Sequence, residues 1–273
     1  MSKLPAKHKF LDLSDYGRAP ARWIANALKG TAVTPIHVTL MFVVAGIIAI
    51  VCILTKQFWL AACFLILKSI LDAADGELAR VKKTPSYTGR YFDSVSDIIL
   101  NFLFLYSICY ITDGAFFWAA LAFFAMQLQG TLYNYYYVIL RNKFDGDKTS
   151  RVFEDKAPVA MPGETQRTVD HWFWMYNVCY GAFDKAIYWM DKHAEDGLYY
   201  PKWFMTAVSG FGLGFQLLII SVMLCLGWAE YIIPFFIAYS ILIFVFIAIR
   251  KHLNRANCES HITVADGLSA DKT

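Results

Sequence analysis

The sequence predicts an all-α fold, a polytopic membrane helix bundle with about six transmembrane helices and an N-terminal amphipathic surface helix. Three observations carry that prediction. Apolar stretches of about 17–25 residues, long enough to cross a hydrocarbon core as helices, recur along the chain. Of the 273 residues, 58% are hydrophobic and only 17% charged, far from the composition of a soluble domain. Lys and Arg gather in alternate connections between the apolar stretches.

The N-terminal unit, residues 1–35, interleaves Phe10, Leu11, Leu13, Tyr16, Trp23, Ile24, Ala27 and Leu28 with Lys9, Arg18, Arg22 and Lys29. That pattern suits a helix lying on a membrane surface, interrupted at Gly17 and Pro20. It has no long apolar core, so it does not read as a cleavable signal peptide. Thr34 and Pro35 form a cap and a first helical turn for the opening span.

The membrane domain, residues 36–252, is expected to cross at 36–56, 57–75, 92–112, 114–140, 201–227 and 229–250. Between the fourth and fifth spans lies a cytoplasmic insertion, 141–200. Its first part is polar, and its second, DHWFWMYNVCYGAFDKAIYWMDKH, suits an interfacial helix or one packed on the bundle. Residues 253–273 form a polar tail.

Six Lys and Arg residues precede the first span, four lie from Arg80 to Arg90, eight from Arg141 to Lys192 and four from Arg250 onward. The three opposite connections hold only Lys56. Positive residues are retained in the cytoplasm, so both termini and the insertion are expected there, in a multi-pass protein of a bacterial inner membrane rather than a eukaryotic endomembrane. The net charge of +3 serves topology and anionic headgroups, and nucleic acid is not an expected partner. Cysteines at 52, 63, 109, 179, 225 and 258 show no paired spacing and read as small core residues.

One charged cluster stands at membrane depth, where ionisable groups are costly and mark function by default. It reads LKSILDAADGELARVKKTPSYTGRYFDSVSDIIL. Asp72 and Asp75 are three apart near the end of one helix, and Asp93 and Asp97 four apart near the start of the next, so each pair shares a face. The short connection between them predicts an antiparallel hairpin on which all four carboxylates converge. Such a group requires protons or cations, and Mg2+ or Mn2+ suits all-oxygen ligands and a pyrophosphate-bearing substrate; two ions would hold it better than one. Gly76, Ala79 and Gly89 permit close approach to backbone, and Arg80 offers a fork for phosphate oxygens.

The arrangement D-x2-D-G-x2-A-R-x8-G-x3-D-x3-D, from Asp72 through Asp75, Gly76, Ala79, Arg80, Gly89 and Asp93 to Asp97, resembles the signature of the CDP-alcohol phosphotransferases, also called CDP-alcohol phosphatidyltransferases. The amphipathic N-terminal segment and the TPIHVT stretch resemble the family too, although Ile36 stands where many members have Asn. The resemblance implies that Asp72, Asp75, Asp93 and Asp97 bind metal and that Asp97 is the general base. It implies that Gly76, Ala79, Arg80 and Gly89 receive the CDP moiety. The expected partners are a CDP-linked donor, an alcohol acceptor, membrane lipids and a second copy of the chain, with the third and fourth spans offering the dimer surface.

The weaker signals each carry two readings. Lys68, one turn before Asp72, either balances the cluster or touches a donor phosphate. Asn101, Gln127, Gln129 and Asn134 line a cavity or bond helix to helix. His37 is a cap or a ligand, and Tyr133, Tyr135, Tyr136 and Tyr137 form an aromatic belt or pack. Intramembrane prenyltransferases also hold pyrophosphate through aspartates, but on two well-separated motifs. A transporter or channel would use the carboxylates as an ion path, yet no second-half repeat of the cluster is visible. Two substrate pairs stay open: CDP-diacylglycerol with a water-soluble alcohol, or a CDP-linked headgroup with a diacylglycerol-like acceptor.

Overall fold

A computed structural model describes residue 4 and residues 6–144, 156–195 and 200–270, the side chains being described as far as Arg255. Among the described residues the secondary structure is entirely helical: α1 (Arg18–Leu28), α2 (Pro35–Leu54), α3 (Phe58–Lys82), α4 (Tyr87–Ile111), α5 (Phe116–Lys143), α6 (Gln166–Met190), α7 (Lys202–Val208), α8 (Leu213–Cys225), α9 (Ala229–Tyr239) and α10 (Ile241–Ala270), with short 3-10 turns.

All six segments expected to cross the membrane are helical. Pro35–Leu54, Tyr87–Ile111 and Ala229–Arg255 are long and apolar enough to span it. Lys202–Phe211 and Leu213–Cys225 make a fourth span if counted together, bent by 57° at their break. α3 carries Lys68, Asp72 and Asp75 within its apolar stretch and α5 carries Gln127 and Gln129, so neither reaches the same apolarity. These are the segments of an integral membrane protein.

The α2–α3, α3–α4 and α4–α5 links turn on Lys56, Lys83 and Asp113, each left-handed at φ 58°, 56° and 54°. Lys83 ends α3 with Thr84 N donating to the Ala79 carbonyl at 3.0 Å, a helix stop of the Schellman kind. Pro20 does not interrupt α1. It lies in the first turn, where an amide N–H has no helical partner to lose, and Gly17 is the N-cap.

α1 buries Ala21 and Ala25 on α3 and leaves Trp23 outward. The segment before it threads between helices: Leu13 N donates to Ser209 Oγ at 2.9 Å, and Tyr133 Oη donates to Asp12 at 2.5 Å. Gly214 permits this, because a Cβ there would collide with the Ser14 carbonyl oxygen. One hydrophobic core joins α1–α5, α8 and α9, and a second joins the C-terminal half of α5 to α6, α7 and α10.

Three expectations change. α2 packs on both α3 and α4, while α3 and α4 scarcely touch backbone to backbone, so their link opens a cleft rather than a packed hairpin. α6 packs along α4 and α5, the spans expected to form a dimer surface, so the surface argument for a homodimer no longer carries. α10 runs as helix to Ala270, into the segment expected to be a tail. Residues 145–155 and 196–199 of the insertion lie outside the described residues.

Candidate active site

The cleft between α3 and α4 is lined from both sides by acidic side chains held on regular helix. Asp72, Asp75 and Asp93 each present a carboxylate oxygen within 4.8 Å of the others, a spacing one cation can bridge. Asp75 is fixed by Thr39 of α2, whose hydroxyl donates to Oδ2 at 2.7 Å. Asp93 Oδ1 is buried with no hydrogen-bond partner among the described residues. A buried acceptor left open in this way fits a cation ligand. The donor set is all oxygen, so these residues fit Mg2+ or Mn2+.

Asp97, the fourth aspartate, is engaged differently. Its Oδ1 pairs directly with the Lys68 ammonium, which also lies 3.9 Å from Asp72 Oδ2. Lys68 is 0% exposed and has the Phe42 ring 4.8 Å from Nζ. One turn along α4, Asn101 is 4% exposed and its Oδ1 has no hydrogen-bond partner among the described residues.

The residues implied to receive the nucleotide sit toward the end of α3 and the start of α4. Arg80 bonds Glu77 at 3.1 Å, and Glu77 also holds Arg18 at 3.1 Å and Arg22 at 3.8 Å, so three guanidinium groups gather on one carboxylate. The Arg80 guanidinium lies beside Gly76, 3.6 Å from where a Cβ would stand. Gly89 has a local reason to be glycine: a Cβ there would stand 3.2 Å from Ser86 Oγ, the N-cap of α4. Ala79 gives its carbonyl to the α3 stop.

Glu164 and Glu77 were not among the residues singled out from the sequence. Glu164 reaches back from the insertion and accepts from Ser86 Oγ at 2.8 Å, Thr88 N at 2.7 Å and Tyr87 N at 3.1 Å. Burial pulls its carboxyl upward, but hydrogen bonds from Thr88, Ser86 and Tyr87 outweigh that and hold it below the usual glutamate range. Nothing in the sequence marks a partner so far along the chain. Glu77 was legible, since it stands three residues before Arg80 on a helix.

Three of the weak signals resolve toward structure. His37 completes a capping box with Thr34, Nδ1 accepting from Thr34 N at 3.1 Å. Gln129 donates to the Phe236 carbonyl at 3.0 Å and accepts from Gln216 at 3.0 Å, bonding helix to helix. Tyr136 donates to Asp191 at 2.8 Å. The five described cysteines are free.

No curated protein matches the chain in sequence. Residues 32–161 match the profile of CDP-alcohol phosphatidyltransferase, a stretch that contains α2 to α5 and both aspartate pairs. That stretch is similar to the CDP-alcohol phosphatidyltransferase family, a family of transferases.

Proposed function

We propose that this protein transfers a substituted phosphate group from a CDP-linked donor to an alcohol in lipid synthesis, releasing CMP. The observation that carries the reading is the convergence of Asp72, Asp75 and Asp93 beside a separately engaged Asp97, within the family-matched segment. Asp72, Asp75 and Asp93 would hold the divalent ion, and Mg2+ or Mn2+ there supplies charge neutralisation for the donor pyrophosphate. The same three oxygens support one ion. The second ion expected from the sequence would have to draw on Asp97 as well, which competes with Lys68.

Asp97 accepts the proton of the acceptor hydroxyl as its oxygen bonds the β-phosphorus, and the bond from that phosphorus to the bridging oxygen breaks, so CMP leaves with the electron pair. Arg80, held by Glu77, meets donor phosphate, while Gly76, Ala79 and Gly89 line the nucleotide's approach. Among the described residues no His or Cys belongs to the Asp72, Asp75 and Asp93 group, which supports direct displacement. The open Asn101 oxygen offers an acceptor a second hydrogen bond. Six crossings with both termini cytoplasmic put the cleft where soluble CDP compounds reach it.

The test is purified protein in lipid with Mg2+ or Mn2+, assayed for CMP release across both substrate pairings. CMP release that needs a divalent ion and one particular pair is the expected outcome. A protein that folds and releases CMP with none of them removes the reading.

A further inference from the structure

We propose that Lys68 is the positioning residue for Asp97, holding one carboxylate oxygen so that the other faces the acceptor hydroxyl. This rests on the functional reading above and names a residue outside the aspartate signature.

A lysine is almost never wholly buried unless paired, and Lys68 is 0% exposed. It projects from α3 one turn before Asp72, yet its direct partner is Asp97 on the facing helix, with Asp72 at 3.9 Å. Phe42 of α2 closes its other side at 4.8 Å. The ammonium is therefore confined: an aromatic face behind it, a carboxylate in front and no route to water.

α3 and α4 scarcely touch backbone to backbone, so Lys68–Asp97 is a side-chain strut across the cleft. Without that strut, the Asp97 carboxylate would be free to turn toward the cation site formed by Asp72, Asp75 and Asp93. Engaged at Oδ1 by Lys68, Asp97 is held out of that triad and keeps Oδ2 for another partner. A general base needs hydrogen-bond reach and fixed geometry more than affinity, and small misplacement costs rate steeply. Charge balance alone does not require this contact, because an ammonium anywhere in the cleft would supply it.

The test is a double-mutant cycle on turnover with Lys68→Met, Asp97→Asn and the pair together, with donor KM, the Mn2+ concentration dependence and thermal unfolding measured alongside. If Lys68 acts through Asp97, Lys68→Met lowers kcat by about 100-fold while donor KM and the Mn2+ requirement stay within about threefold. Added to Asp97→Asn, it then lowers kcat no further. Multiplying losses overturn the proposal, as does a raised donor KM with kcat retained, which would make Lys68 a phosphate contact.

Lys68→Met leaves Asp97 buried without its partner and can fail to fold. The double variant, uncharged on both sides, then decides: turnover equal to Asp97→Asn supports the proposal, and lower turnover overturns it. Wild-type protein that releases no CMP from any substrate pair overturns the functional reading itself, and this proposal with it.

Discussion

Asp93 is the residue that most sharply separates binding from chemistry, because its Oδ1 is buried with no hydrogen-bond partner among the described residues and is ready to meet a cation. Asp75 shares that role but is already braced by Thr39, and the Asp72 side chain is 28% accessible. Replacing Asp72, Asp75 or Asp93 with Asn removes a ligand oxygen's charge, so activity and Mn2+-dependent binding of a CDP donor should fall together. Asp97→Asn should instead cut turnover by roughly 100- to 10,000-fold, the scale of a lost general base, with donor binding largely kept. Titrating a fluorescent CDP donor beside the CMP assay distinguishes the two; an Asp97→Asn protein with near-normal turnover would pass the base role to another group. Arg80→Ala belongs to a third class. Its guanidinium is offered to phosphate by Glu77, so donor KM should rise while the preference between Mg2+ and Mn2+ stays put.

α4 carries half the aspartates, and its first turn is organised from elsewhere in the chain. Ser86 caps Gly89 N at 2.8 Å, and the Glu164 carboxylate takes Tyr87 N and Thr88 N, so three otherwise orphaned amides are satisfied. Because those bonds hold Glu164 below its ordinary value of about 4.3, its contribution is complete above that value and is lost as pH falls through the lower folded one. Glu164→Gln should lower stability near neutral pH by about 1 kcal/mol, the usual worth of a helix cap, and flatten the acid side of the stability curve. Thermal unfolding of both proteins across acidic pH checks it, and parallel curves would mean that the cap is not ionic. This contact also shows where sequence reasoning stops. Helix periods, the Thr34–His37 start and the aspartate spacing are local and were legible. The α3–α4 cleft was not, because a short connection says nothing of how far apart two helices stand when α2 packs on both. The seat of α6 was not either, since its aromatic face satisfies an interface or a protein neighbour equally well.

At the scale of the molecule, α5, α6 and α10 are tied together by a buried ion pair. Arg250 of α10 bonds Asp191 at the end of α6 through two nitrogens, Tyr136 of α5 donates to the same carboxylate, and both charged residues are at most 3% exposed. Removing one partner of a buried pair strands the other, so Arg250→Met should cost about 3–5 kcal/mol, with Arg250→Met/Asp191→Leu recovering much of it in thermal unfolding. Equal losses in the single and double variants would show that packing, not the stranded charge, sets the cost. One end of the bundle also fixes orientation. Lys82 Nζ donates to the Thr31 and Val33 carbonyls at 2.7 and 2.6 Å, Arg18 meets Glu77, and Glu164 meets Thr88, so the N-terminal segment, the α3–α4 link and the part of the insertion around Glu164 are joined on one face. Lys and Arg concentrate on that face, whereas the left-handed turns at Lys56 and Asp113 belong to the sparsely charged opposite side. Reporter fusions at Lys83 and Lys156 should therefore report the cytoplasm, and those at Lys56 and Asp113 the other side. The four positions are not independent, because the contacts above bind Lys82, beside Lys83, and Glu164, eight residues after Lys156, to one end of the bundle. A reversal at Lys83 with Lys156 unchanged would contradict the fold, while a joint reversal would turn the aspartate cleft away from soluble CDP compounds and end the proposed reaction.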